Sequence, residues 1–335
     1  MDRVFLIFSG TFLYWNSLIL ALSAAAGICC FVSLSLTRDE KPLTIALFIP
    51  CALVLSLVLG RFVHWYTLPN QYRGLSAAFA DLSVGGYALI GVVAACLILA
   101  LLFRVLRLTK DLPAFLDCLS VAGCGAIALG RLSYFFSSLD RGSIVSITKL
   151  PVAYPVVNAV SGAVEYRFAT FLFQAAALTV LFVCLLWLFL KRERMHHVPA
   201  GDATLVFALC YCALAVVLDS TRYDSLYLRS NGFVSAVQIL SAVTVAAVAV
   251  CYSVRLVRAG GMRKWYILIW VLSFLMMGGA GFMEYYVQRH GREALFSYIV
   301  MSACLADFVG LTLLLRHRTL GAERAAAEAD EEAEE

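Results

Sequence analysis

Residues 168–190 read FATFLFQAAALTVLFVCLLWLFL and are followed at once by KRER at 191–194. A helix rises about 1.5 Å per residue and the hydrocarbon core of a bilayer is about 30 Å thick, so an uncharged run of roughly 20 apolar residues reads as a membrane crossing. The positive charge that ends it reads as the aqueous margin. Working outward, the same pattern recurs and predicts about nine spans, at 13–34, 42–62, 84–103, 114–136, 168–190, 203–219, 233–254, 265–283 and 295–315.

Composition agrees. Over 335 residues, 62% are hydrophobic and 14% charged, and the mean hydropathy is +0.87. A soluble fold of this length has too little interior for so much apolar surface, so lipid is part of the solvent. The expected fold is an all-α, polytopic transmembrane helix bundle.

Lys and Arg are unevenly divided. Alternate connections hold Arg38, Lys41, Arg104, Arg107, Lys110, Lys191, Arg192, Arg194, Arg255, Arg258, Arg263, Lys264, Arg316, Arg318 and Arg324, and the others hold about half as many. Basic connections stay cytoplasmic, which predicts an outer N-terminus and a cytoplasmic C-terminus in a cytoplasmic (plasma) membrane. The net charge of +4 is then explained by topology and anionic headgroups, not by nucleic acid. The stretch around Asp2 and Arg3 carries no convincing cleavage site, so the first helix is expected to stay.

All eleven cysteines fall inside predicted spans and read as small packing residues, not as a disulfide framework or a metal site. Neither a metal nor another cofactor is expected. No Pro/Ser linker and no internal repeat divides the chain. From 319 the sequence turns acidic, ending in Asp330, Glu331, Glu332, Glu334 and Glu335, and reads as a disordered or fraying helical tail. The longest connection, 137–167, faces outward and contains Gly142, Pro151, Pro155 and Gly162, as an irregular functional loop would.

Ionisable groups at membrane depth are costly, about 2.5–3.5 kcal/mol each on insertion scales, and so mark candidate sites. On the predicted topology Asn16, Arg61, His64, Arg131, Arg167, Asp219, Arg222 and Gln238 all fall in the outer leaflet. Several guanidinium groups in one outward cavity suit a phosphate headgroup, because each presents a planar fork of donors. Asp117 lies 14 residues before Arg131, deeper in the membrane on nearly the same helix face, where pairing with a neighbouring helix is expected. Glycines at 85, 86, 91, 123, 125 and 130 would let the third and fourth helices approach others closely, and Gly278, Gly279 and Gly281 would do the same for the eighth.

These residues, in their order, resemble bacterial prolipoprotein diacylglyceryl transferase over roughly 10–257. Tyr14-Trp15-Asn16-Ser17-Leu18 is similar to that family's opening motif, Gly60-Arg61-Phe62 to its first Gly-Arg pair, and Ala88-Leu89-Ile90-Gly91 to the end of its His-Gly-Ala-Leu-Ile-Gly run. Asp117 has the family spacing to Gly130-Arg131-Leu132, with Gly142 following. Arg167 to Gln174, Asp219 to Arg222, and Gln238 to Ser241 resemble its later motifs. The departures are Asn16 for a tyrosine, Gly86 for the family histidine, Tyr134 for an asparagine, Phe168 and Gln174 for a histidine and a glutamate, and Ala215 for an arginine.

The resemblance implies transfer of diacylglycerol from phosphatidylglycerol to the lipobox cysteine of a preprotein, near the outer leaflet. It implies a core over 1–257, with an additional pair of helices over 258–318 and the acidic tail over 319–335. A thiol attack needs a base. With Gly86 in place of the histidine, the replacements on the correct side are His64, the only histidine at that level, and Asp219 or Asp224. Binding of phosphatidylglycerol or another anionic phospholipid falls to Arg131 and Arg222, with Arg61, Arg167, Gln238, Gly130, Gly142 and Tyr134 around them. Two other readings remain open: a non-catalytic lipid- or lipoprotein-binding protein of the same fold, and a small-solute transporter, against which the lack of internal repeats counts.

Overall fold

The structure, a computed structural model, describes residues 4–8, 11–80, 86–137, 140–146, 148–149, 151–158, 161–195, 198–222, 225–228, 231–290 and 295–334. A hairpin of β1 (Val4–Phe8) and β2 (Thr11–Tyr14) leads into α1 (Trp15–Thr37) and α2 (Pro42–Thr67). A 3₁₀ turn at Pro69–Gln71 and the short α3 (Leu75–Ala80) precede α4 (Leu89–Val105) and α5 (Leu112–Arg131), which ends in a 3₁₀ turn, Leu132–Phe136. The hairpin β3 (Ala153–Val157) and β4 (Val164–Phe168) opens onto α6 (Thr170–Met195) and α7 (Asp202–Thr221). A third hairpin, β5 (Tyr227–Leu228) with β6 (Asn231–Ser235), precedes α8 (Ala236–Gly260), α9 (Lys264–His290) and α10 (Leu295–Glu334).

Eight of these helices are long and apolar enough to cross a membrane, and α4, at 17 residues, is shorter. The expected nine crossings are therefore eight full-length helices and one of about 26 Å. Residues 86–88 are not helical: Gly86 lies at φ +128° and its carbonyl is held by Arg61 Nη1 of α2 at 3.0 Å. Local chemistry starts three of the other helices. Proline occupies the first turn of α2 and of α5, where a missing N–H costs nothing. Ser235 and Gln238 form a reciprocal capping box on α8.

Helices pack in pairs, α1 on α5, α2 on α4, α5 on α6, α7 on α8, and α10 on both α8 and α9. The first core is aromatic: Phe48 meets Phe115 and Phe103 edge-on, with centroids 4.9 and 5.5 Å apart, the geometry that aromatic quadrupoles favour. A second, around Leu209, Val245, Tyr252 and Leu315, joins α7 and α8 to α10. Large apolar side chains such as Val105 and Phe274 face outward, 76% and 79% exposed. Gly91 lets α4 rest on the α2 backbone, where a Cβ would collide with the Leu59 carbonyl. A Cβ on Gly279 would meet Cys304 at 3.1 Å, but Gly123, Gly278 and Gly281 border open space, so those three are not packing points. Gly85 lies outside the described residues.

The expected role of Asp117 is borne out. Its carboxylate accepts from the Gly201 and Thr204 amides and from Thr204 Oγ1, at 2.8–2.9 Å, satisfying orphan donors at the start of α7. The two terminal helices are docked firmly. Arg316 of α10 donates to both oxygens of Asp202 at 2.6–3.0 Å, and Tyr252 Oη donates to Oδ1 at 2.9 Å. The stretch from 319, read as a tail, continues α10 to Glu334, and its Glu323 pairs with Arg255 at 2.9 Å. Side chains beyond 326 lie outside the described set.

Candidate active site

Arg131 ends α5 and Arg222 follows α7, 91 positions later in the chain, and both guanidinium groups reach the carboxylate of Asp140. Arg131 Nη1 lies 2.9 Å from Oδ2 and Arg222 Nε 2.9 Å from Oδ1. Asp140 is fully buried and takes a left-handed backbone conformation, φ 57°, which Asp tolerates better than most residues.

Its loop is fastened between α6 and α7 by backbone bonds. The Gly142 amide donates to the Phe168 carbonyl at 2.8 Å, the Ser143 amide to Thr221 at 3.0 Å, and the Phe168 amide to Ser143 at 3.0 Å. Gly142 bridges directly to Arg222. A Cβ there would lie 2.7 Å from the Phe168 Cβ and 3.1 Å from the Thr221 carbonyl oxygen, so only glycine fits. Arg141, next in line, is held between the rings of Tyr154 and Phe171, 4.4 and 4.3 Å from their centroids, and donates to the Ser137 carbonyl at 2.7 Å. It thereby anchors the loop on the turn that follows Arg131.

Asp219 completes the cluster. Arg222 Nη1 approaches its Oδ1 at 3.4 Å, Ser235 Oγ donates to Oδ2, and Ser225 Oγ donates to its backbone carbonyl at 2.8 Å. Both carboxylate oxygens thus serve to hold Arg222 and the start of α8. Two partly buried arginines and two buried aspartates balance in formal charge, which makes burial of the carboxylates tolerable. Tyr134 presents its ring 5.7 Å from the Arg131 guanidinium carbon.

The second group of predicted residues lies at the end of α2. Arg61 is 2% exposed and acts as a clasp: Nε donates to the Ala78 carbonyl at 2.7 Å and Nη1 to that of Gly86 at 3.0 Å, with the rings of Tyr72 and Tyr87 at 4.9 and 5.6 Å. One turn on, His64 Nδ1 lies 2.8 Å from Tyr72 Oη, and its imidazole lies over Gly86. A Cβ on Gly86 would lie 2.3 Å from Cε1 and 2.4 Å from Nε2 of His64, a collision with the ring. The end of α2 also packs against β5, which begins five residues after Arg222.

The remaining predicted residues are placed as follows. Arg167, expected to open a helix, lies on β4 opposite Tyr154, and its Nη2 pairs with Glu165 at 2.8 Å. Gln238 caps α8 and donates through Nε2 to the Val216 carbonyl at 3.3 Å. Gly130 packs on Ser23 of α1. Asn16 Oδ1 is buried without a partner among the described residues, next to Trp15, which stacks on Phe136 at 5.8 Å. Asp224, His196 and His197 lie outside the described residues. Asp140, Tyr72 and Ser235 were missed. Asp140 had a signal, an acid two residues before the loop glycine, but nothing in the sequence shows which arginines it meets.

A model of the family described as prolipoprotein diacylglyceryl transferase matches residues 3–254. The chain is 24% identical over 249 residues to a phosphatidylglycerol–prolipoprotein diacylglyceryl transferase of Finegoldia magna, covering 72% of this chain and 94% of that protein. It is 26% identical to the enzyme so named from Parasynechococcus marenigrum, covering 69% and 85% of the two chains, and 25% identical to that of Synechococcus elongatus, covering 68% and 79%. With eight apolar spanning helices and a family match over three quarters of its length, this multi-pass membrane protein belongs to the prolipoprotein diacylglyceryl transferase family.

Proposed function

We propose that the chain transfers the diacylglyceryl group of phosphatidylglycerol, or of a related anionic phospholipid, to the lipobox cysteine of a preprotein. On this reading the bundle sits in the bacterial cytoplasmic membrane, N-terminus outside and C-terminus in the cytoplasm, so that the Arg131–Asp140–Arg222 cluster faces the outer leaflet. The observation that carries it is the meeting of two guanidinium groups, from separate helices, on one carboxylate.

Each guanidinium has five N–H donors, and a carboxylate oxygen accepts only some of them. Asp140 fixes the two side chains, and the phosphate of the headgroup takes further donors from both. The thiol then loses its proton to His64 and its sulfur attacks the glyceryl carbon bearing the phosphate ester. The S–C bond forms as the C–O bond breaks, and the electron pair leaves on glycerol phosphate, whose charge Arg131 and Arg222 stabilise. A free thiol is only a few per cent ionised at pH 7, so the base matters. With Nδ1–H donating to Tyr72 Oη, His64 keeps a lone pair on Nε2 for that proton. Asp219 positions Arg222 and is not the base.

A non-catalytic lipid-binding protein of the same fold is the second reading, favoured by the six departures from the family motifs. The His64 ring over Gly86 speaks for catalysis, because it returns an imidazole to the place where the resemblance expects one. Purified protein incubated with labelled phosphatidylglycerol and a lipobox peptide separates the two. Thioether-linked diacylglycerol on the peptide, absent with Arg131→Ala, is the expected result; bound lipid without transfer would leave only the binding protein.

A further inference from the structure

Helices α8 and α9 each lie along α10 and are joined by the Trp270 indole N–H, which donates to Ser253 Oγ at 3.0 Å. Around that link they part, leaving a groove of about 610 Å³ floored by Phe308 and Leu315 of α10. Small-molecule sites typically enclose about 300–1,000 Å³. Small side chains on α8, Ala246 and Ala249, leave the space. The rim opens sideways to lipid, where Val250, Val254 and Phe274 are 61%, 42% and 79% exposed.

From Ala246 to Arg258 the groove follows α8 for about 18 Å, slightly more than half of an about 30 Å hydrocarbon core, so it is one leaflet deep. Its two ends differ. The inner end is apolar. At the mouth stands Arg258, exposed in the last turn of α8 and without an ion pair among the described residues, with Arg263 and Lys264 in the adjoining turn. Inside, Ser273 lines the wall at 8% exposure, and its hydroxyl has no partner among the described residues. A buried hydroxyl normally has one, and the oxygen of a lipid ester is an acceptor that the chain itself does not supply. α9 and α10 lie outside the region that matches the family, so this groove is an addition to the transferase core.

We propose that the α8–α9 groove is a second lipid site, which holds one acyl chain of an anionic phospholipid with its phosphate at Arg258. It lies at the opposite end of α8 from Ser235 and the arginine cluster, and so in the other leaflet. An acyl chain matches the apolar wall and the one-leaflet depth, and an anionic headgroup matches the uncompensated positive mouth.

The test uses the full chain in nanodiscs of phosphatidylcholine, with a minor fraction of phosphatidylglycerol carrying a photoreactive group on one acyl chain. Adducts are mapped by mass spectrometry. They should concentrate on α8 and α9 at Val254, Phe274 and Met277. Arg258→Gln, an exposed change that leaves packing intact, should lower that yield about fivefold without altering labelling by the equivalent phosphatidylcholine probe. Ala249→Phe, which fills the groove, should abolish it, and Arg258→Gln decides the matter alone should that variant fail to fold. Labelling spread equally over the lipid-facing sides of α1 and α2, equal labelling by the two lipids, or cross-links to a second copy across the groove would each overturn the proposal. Transfer activity is not read, so the outcome is independent of the proposed catalysis.

Discussion

The imidazole of His64 occupies the space into which a side chain at Gly86 would project. The two positions lie on different elements, the end of α2 and the non-helical segment before α4, yet they share one volume. Gly86 is therefore a condition for His64 to lie where it does, and its φ of +128° is one that L side chains rarely adopt. On the proposed reading, an imidazole from position 64 takes the place of the one the resemblance expects at 86.

If His64 is the base, His64→Ala should lower transfer about 10²–10⁴-fold, the usual contribution of a positioned acid or base. Gly86→His alone should disrupt the α2–α4 contact, because two rings cannot share the space. The double variant H64A/G86H removes the ring clash but still forces a side chain to adopt φ +128°, so its transfer, measured as labelled peptide per minute, should stay well below that of the unaltered protein. Full activity in H64A would remove His64 from the mechanism.

Asp140 is the buried counter-ion of two partly buried guanidinium groups. Replacing it with Asn leaves two guanidinium groups with Asp219 as their one carboxylate in the cluster and takes Arg131's ion pair away, a loss of about 3–5 kcal/mol. The expected result is a clear drop in the thermal midpoint in detergent. Added phosphatidylglycerol should restore more stability to Asp140→Asn than to the unaltered protein, since a ligand stabilises the state it binds. An unchanged midpoint would show that the cluster is not held by Asp140.

Glu165 on the β3–β4 hairpin accepts from Asn158 Nδ2 at 2.5 Å and from Arg167 at 2.8 Å, and these hydrogen bonds, Asn158 first, hold its carboxyl below the usual range. A depressed carboxyl contributes stability above its unfolded pKa, about 4.3, and that contribution is lost as the pH falls through the folded value. Protection of the Asn158 and Gly162 amides, corrected for intrinsic exchange, should decline below about pH 4 and should lose this pH dependence in Glu165→Gln.

The Asp202–Arg316 pair ties α10 to the start of α7. Arg316→Ala strands a buried carboxylate and should cost about 3–5 kcal/mol, and Arg316→Lys should recover only part, since an ammonium cannot reproduce the forked contact with both oxygens. Protease accessibility of the α9–α10 connection is the measurement. Unchanged accessibility in the alanine variant would mean that packing against α8 alone suffices to dock the terminal helices.

The spanning helices were legible from long, predominantly apolar runs, because a backbone in lipid must satisfy its own hydrogen bonds and a helix is the local way to do so. So was the structural role of Asp117, whose depth on α5 left it only a neighbouring helix to meet. The hairpins were not legible, since they form over the loops where no hydropathy rule applies; Arg167 moved from helix to strand for that reason. The shortened α4 was also hidden. Residues 86–88 stand outside the helix, and the Gly86 carbonyl is held by Arg61, from 25 positions away.

The sequence by itself determined that this chain spans a membrane many times, because hydropathy acts residue by residue along a helix. Only the tertiary structure decided that Arg131 and Arg222 meet on Asp140, that His64 lies over Gly86, and that α8 and α9 part around a groove. Those outcomes depend on which helix faces pack together and how a loop is threaded between them, and both are set by contacts among residues distant in sequence.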